Sequence, residues 1–248
     1  MEEGFTSNYT IEVIDIKGNK SIVHIPINGE KNTELLPKKN NETQDFIYSN
    51  EVTSITKGKF TVYIPSNSLY EDTYLDIKVS GDTLILHDDV IPIHKNITIS
   101  IDASNYTSED KDRLFLGRLN YKGVPYYNTT YRKGDKLSTR TRTFGSYILA
   151  SDTAAPTIKA SNFKRDTWIS KNKTLELKIK DDLSGISSYR ATLNGNFILM
   201  EYNYKKDVLT YDFSDNIVVD TENNLKLIVT DNVGNSATFE ASFFRKKT

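Results

Sequence analysis

The stretch Asn8-Tyr-Thr-Ile-Glu-Val-Ile-Asp15-Ile-Lys-Gly18-Asn19 returns near the other end of the chain as Asn224-Leu-Lys-Leu-Ile-Val-Thr-Asp231-Asn-Val-Gly234-Asn235. In each copy an alternating run, Ile11 and Val13 or Leu227 and Val229, enters Asp-x-x-Gly-Asn. It leaves as a second run, Ile22 to Ile27 or Ala237 to Phe244. The Gly supplies a positive φ, the Asp caps the turn through its side chain, and the Asn tolerates the left-handed region. Both copies therefore read as the closing hairpin of a β-sandwich module. The second follows a full set of strands and the first starts a few residues after Met1, so the first is expected to be the remnant of a truncated module. Its apolar face, Ile11, Val13 and Ile22, is then expected to dock on the next domain, to pair with another copy or to stay exposed.

Working outward, the dominant period is two. Phe60/Val62/Ile64, Leu75/Ile77/Val79, Ile97/Ile99/Ile101 and Leu175/Leu177/Ile179 alternate with polar residues, the pattern of strands with one buried face. Turn signals such as Lys57-Gly58, Gly81-Asp82, Gly134-Asp135 and Asn194-Gly195 separate them and argue for sandwiches. The one helical candidate, Ser108 to Arg113, has acidic first-turn character but about one turn of length, which predicts a turn or short 3₁₀ piece. Residues 30 to 44 are polar, and Ser151-Asp-Thr-Ala-Ala-Pro156 forms a second, shorter seam stiffened by its proline. The organisation read from these signals is a hairpin remnant (1–30), a linker (31–44), a sandwich (45–152) of seven or eight strands and an immunoglobulin-like sandwich (153–248) of about seven. The two sandwiches are expected end to end with restricted swing.

Composition narrows the function classes. Two domains fit 248 residues. Zero cysteines remove disulfides, thiolate zinc sites and cysteine nucleophiles, without deciding for or against export. Lys+Arg 32 against Asp+Glu 33 gives no reason to expect nucleic acid or an anionic membrane as a partner. No apolar run is long enough for a membrane span, and the first residues lack the basic and apolar parts of a signal peptide.

The candidate chemistry is sparse. His24, His87 and His94 form no His-x-His, His-Glu-x-x-His or His-x-x-x-Asp pattern, so a site from His87, Asp88 and His94 would need a hairpin to bring them together. No nucleophilic serine motif occurs. Calcium is the most defensible metal: Asp181 and Asp182 end one strand and Asp231 another, and such loops can meet at one pole of a sandwich with hard oxygen ligands. The competing explanation, favoured by the turn preferences of Asp, is that Asp182 and Asp231 are Asx-turn caps. Trp168, Tyr202 and Tyr204 belong to an aromatic set that either forms an exposed glycan platform or packs across strands. Arg140 and Arg142 share a strand face and could grip a carboxylate or phosphate.

Taken together, Ala155-Pro-Thr-Ile, Trp168-Ile-Ser-Lys-Asn-Lys-Thr-Leu-Glu-Leu-Lys-Ile, Asp181-Asp-Leu-Ser-Gly-Ile-Ser and Thr230-Asp-Asn-Val-Gly-Asn resemble the C-terminal immunoglobulin-like region of flavobacterial metallopeptidases of the lysostaphin-like class. Phe60-Thr-Val-Tyr-Ile-Pro and Arg140-Thr-Arg-Thr-Phe-Gly-Ser-Tyr are similar to the segment before it. The resemblance implies a zinc endopeptidase domain upstream, with a His-x-x-x-Asp and a His-x-His ligand set. Neither has a counterpart here: the fourth residue after His24 is Asn28, after His87 Ile91 and after His94 Thr98. What the resemblance implies is an all-β, non-catalytic accessory region, without cofactor, of an exported, periplasmic or cell-surface protein. It would be tethered to upstream domains and would space the enzyme or dock on envelope polymer, glycan or protein. The alternative is an adhesin-like or glycan-binding module in its own right.

Overall fold

The computed structural model describes residues 4–30, 42–215 and 217–246, and most of the expected linker, 31–41, lies outside them. The chain divides into two compact units, 1–41 and 42–248.

The first unit is a single antiparallel hairpin, β1 (Thr6–Ile14) and β2 (Lys20–Asn28). Its register pairs Tyr9 with Ile25, Ile11 with Val23 and Ser7 with Ile27. Tyr9, Ile11, Val13, Val23, Ile25 and Ile27 therefore line one face, because side chains of paired residues project to the same side. All six are exposed. Ile22, expected on this face, pairs with Glu12 and so stands on the opposite one, among Thr10, His24 and the Lys20–Glu12 ion pair at 2.6 Å. A one-residue difference in register exchanges the faces of a strand, and alternation within β2 alone does not say which set matches Ile11.

In the second unit, residues 45–151 hold β3 (Asp45–Ile47), β4 (Thr53–Lys57), β5 (Phe60–Ile64), β6 (Thr73–Leu75), β7 (Ile77–Ser80), β8 (Thr83–Leu86) and β9 (Ile97–Asp102). The helix α1 (Ser108–Arg113) follows, then β10 (Leu114–Leu119), β11 (Pro125–Tyr127), β12 (Tyr131–Lys133), β13 (Lys136–Thr141) and β14 (Gly145–Ser151). Two five-stranded antiparallel sheets, ordered β11-β10-β14-β8-β7 and β12-β13-β9-β5-β4, enclose one core that includes Phe60, Leu75, Leu84, Ile99, Phe144 and Tyr147. Each such side chain, fully buried, contributes about 1.5–3 kcal/mol. The described residues give twelve strands here, more than the seven or eight expected, because apolar alternation runs through breaks in pairing. At Asp76 the backbone N–H donates to His87 Nδ1 at 3.1 Å; β6 on one side pairs with β3, and β7 on the other with β8. The segment expected to be a turn or 3₁₀ piece is a six-residue α-helix capped by Thr107, whose side chain accepts from Asp110 N–H, as a capping hydroxyl does at N3.

Residues 157–245 hold β15 (Thr157–Ala160), β16 (Thr174–Lys180), β17 (Ile186–Leu193), β18 (Asn196–Ile198), β19 (Glu201–Asn203), β20 (Val208–Asp212), a 3₁₀ turn (Phe213–Asp215), β21 (Thr221–Asp231) and β22 (Ser236–Arg245). The sheets are ordered β15-β16-β20-β19 and β18-β17-β21-β22. Lettered in chain order, these are A-B-E-D and C′-C-F-G, the immunoglobulin arrangement with one added strand. The β17–β18 turn uses Asn194 and Gly195, both at positive φ, as a two-residue hairpin loop requires. The chain is thus an all-β protein of antiparallel sandwiches preceded by a hairpin. None of the described helices is long and apolar enough to cross a membrane.

Candidate functional site at the seam between the sandwiches

The region where polar groups converge is the pole at which β14 ends and the last sandwich begins. Asp231 closes β21, and its Oδ1 accepts N–H bonds from Val233 (2.9 Å) and Asn235 (2.8 Å), while Oδ2 accepts from Asn235 Nδ2 (2.6 Å). Asp181, after β16, accepts from Leu183 (3.0 Å) and Gly185 (2.7 Å) through Oδ1. Asp152, one residue past β14, accepts from Ala154 N–H (3.0 Å) on Oδ1 and from Ser184 N–H (3.0 Å) on Oδ2. One carboxylate oxygen from each of the three lies within 4.8 Å of the others. Asp152 and Asp231 are buried and Asp181 is half-buried.

The same residues join the modules. Asn235 Nδ2 donates to the Asp152 carbonyl at 3.0 Å, Arg113 at the end of α1 donates to Asn235 Oδ1, and Asp152 N–H donates to the Arg113 carbonyl at 3.0 Å. Asn232 Nδ2 holds the Ser184 carbonyl at 2.8 Å. Each bond contributes about 1 kcal/mol, and more is lost if a buried partner is stranded. The connection 152–156 is short, and its first residue is bonded to both modules.

The sequence pattern pairs Asp181 and Asp182 with Asp231. Asp182 is not in the cluster: it is exposed and pairs with Lys180 on the strand before it, because successive side chains leave the strand end in opposite directions. Asp152 takes its place. The signal for it was present in Ser151-Asp-Thr-Ala, an Asx turn opening the seam, but 29 positions separate Asp152 from Asp181. The Asx-cap reading fits Asp231, whose carboxylate bonds are those of such a turn; Asp181, rather than Asp182, caps the other loop.

The other candidates lie apart. Trp168 is exposed (58%), bridged to Phe244 of β22 with the rings 5.6 Å apart. Tyr202 is half-buried on strand D, its ring 5.9 Å from Tyr189 and inclined at 60°, and burial, then Asp207, raises its hydroxyl pKa. Tyr204 is exposed (72%) in the turn after β19. These rings belong to two different sheets, so they do not form one coplanar row. Arg140 lies in β13 with its guanidinium 5.6 Å over the Tyr131 ring, whereas Arg142 falls past the end of that strand at Thr141; the shared strand face expected for them is absent. His87 accepts from Asp76 N–H and sits edge-on to Phe144, His94 bonds the Tyr70 hydroxyl at 3.2 Å, and His24 bonds Thr10 at 3.0 Å. Among the described residues the aspartate trio is the one group of three potential metal ligands. A hollow of about 660 Å³ over β5, β9 and β13 is lined by Lys59, Asp102, Asp135 and Lys136; Lys59 is paired with Asp82 and Asp135 with Lys111.

Fold and seam define a chain of β-sandwich modules joined end to end. Residues 44–152 match the Zu5-like domain family. A solved structure of the fibronectin(III)-like modules of Clostridium thermocellum CbhA aligns at 12% identity over 80% of this chain and 87% of that one, with a TM-score of 0.31; likeness at that level carries no functional weight. No curated protein matches the chain.

Proposed function

We propose that this chain is a non-catalytic spacer and binding region that holds a partner domain at a fixed distance from its target. The observation that carries the reading is the seam. Polar contacts between modules ordinarily leave relative motion free unless the interface is constrained, and here Asp152, Asn235 and Arg113 close a bonded ring across the joint, to which Ser184 N–H adds a bond on the Asp152 carboxylate. The resemblance of the sequence to the accessory region of lysostaphin-like metallopeptidases supplies the finer proposal: the partner is a zinc peptidase, and the setting is the envelope of an exported protein. The test is incubation of the chain with zinc and cross-linked peptidoglycan. No peptide release is expected, and zinc-dependent cleavage by the chain alone would contradict the reading.

The exposure of Trp168 and Tyr204 favours a second reading, a binding module in its own right. Co-sedimentation with purified envelope polysaccharide that is abolished in Trp168→Ala or Tyr204→Ala would replace the spacer reading with that one.

A further inference from the structure

We propose that the seam is a calcium site, formed by Asp152 from the end of the first sandwich and by Asp181 and Asp231 from the second. Its ion would stiffen the joint. That role rests on the spacer reading; the binding of the ion does not.

Geometry is the first support. Oxygens bound to one calcium ion at about 2.3–2.6 Å lie no more than about 5 Å from one another, and the three carboxylates each offer an oxygen within 4.8 Å of the other two. Magnesium demands a near-ideal octahedron and gives up its waters reluctantly, so a site of several protein oxygens suits calcium better, and the absence of His or Cys from the set disfavours zinc.

The second, independent support is Ser184. Its side chain is 1% exposed, and its hydroxyl has no hydrogen-bond partner. A buried hydroxyl in that state is unfavourable by about 1–3 kcal/mol unless something satisfies it. Its N–H is engaged by Asp152 and its carbonyl by Asn232, the neighbour of Asp231, while the N–H groups on either side of it bond Asp181. The unpartnered hydroxyl thus belongs to the residue whose backbone, with its two neighbours, ties the three acidic loops together.

Charge is the third. The N–H groups that bond the three carboxylates are neutral. Two cations lie near the cluster: Arg113 donates to Asn235, and Lys180, which also feels the Asp181 charge, is bonded to Asp182. Charged groups taken out of water are ordinarily paired or bound to a metal.

Calcium titration of the full chain by calorimetry, with thermal unfolding in calcium against chelator, tests the proposal. One ion is expected per chain, with a dissociation constant on the order of 10⁻⁴ M, typical of extracellular modules, and a saturable rise in Tm that magnesium does not reproduce. Asp181→Asn, which keeps shape and removes one charge, should weaken binding by about tenfold or more. Ser184→Ala should weaken it several-fold without lowering the Tm of the metal-free chain, a result that a purely structural serine would not give. No binding up to about 10 mM calcium, or affinity unchanged in both variants, overturns the site. If binding is absent while the joint remains rigid in chelator, the spacer reading survives alone; if calcium binds but the joint swings freely, the site stands and the spacer reading falls.

Discussion

The two Asp-x-x-Gly-Asn hairpins of this chain have the same turn in opposite surroundings. In the first, Asp15 Oδ1 accepts from Lys17 and Asn19 N–H at 2.8 and 2.9 Å, and Oδ2 from Asn19 Nδ2 at 2.7 Å. In the second, Asp231 makes the corresponding bonds to Val233 and Asn235 at 2.9, 2.8 and 2.6 Å. The glycines sit at φ +85° and +90°. Yet Leu227 is fully buried, whereas Ile11, its counterpart, is 52% exposed. The difference teaches that the turn is a local device, specified by five residues, while burial and recruitment into a site are decided by what the rest of the chain brings to it. Asn235 makes the turn bonds of Asn19 and then two more, to Asp152 and Arg113.

The largest contrast should come from truncating the apolar faces. Leu227→Ala is expected to destabilise its sandwich by about 2–5 kcal/mol through lost burial and a cavity, and Ile11→Ala to change global stability by less than about 0.5 kcal/mol, both read from denaturant unfolding. Equal losses would mean that the exposed face of the hairpin is covered in solution.

Next are the asparagines. Asn235→Ala removes the turn bond and the bridge between modules, an expected loss of about 1–3 kcal/mol; Asn19→Ala should reach only a few tenths in the same assay, since an exposed hydrogen bond is exchanged for one to water. A small effect at Asn235 would show that the seam contributes little.

Gly18→Ala and Gly234→Ala should remove the environment from the comparison. A Cβ at either position meets nothing within 4 Å, so each loses about 1–2 kcal/mol through the left-handed backbone alone. Amide exchange across each turn reads the two separately, and a markedly larger effect at Gly234 would break the equivalence.

The smallest effect is acidic. Hydrogen bonds from the Asn19 side chain, then from the backbone of Asn19 and Lys17, hold the Asp15 carboxyl below its ordinary value of 3.8. A carboxyl whose folded pKa is lowered contributes stability above the unfolded value and loses it as pH falls through the folded one. The Lys17 and Asn19 amide shifts should therefore titrate with a midpoint below 3.8. Asn19→Ala should move that midpoint up toward 3.8; a midpoint unmoved by the substitution would contradict the assignment.

Much of this fold was legible. Alternation at Phe60/Val62/Ile64 and Leu225/Leu227/Val229 marked strands because one face of each meets a core, and Asp231-x-x-Gly234-Asn235 marked its turn because the cap is local. Lys122-Gly123 marked a turn that the structure shows, but its likeness to the two hairpins, with Asn120 Oδ1 accepting from Lys122 and Val124 at 2.8 and 3.1 Å, is hidden because Asn replaces the Asp and Val replaces the Asn. The face of Ile22 was misjudged, since register is a property of two strands. Asp152 is not legible because a cluster formed by three loops is set by how two sandwiches meet, which no sequence spacing encodes, while Asp182 stands outside it because alternation at the end of β16 turns it toward Lys180.

The bonds that meet at Asp152 predict a rigid joint. With no native cysteine, two can be introduced, Lys122→Cys in the first sandwich and Lys205→Cys in the second, and the distance between attached spin labels measured. One narrow distance distribution is predicted, broadened by Asn235→Ala; a broad distribution in the otherwise unaltered chain would contradict it.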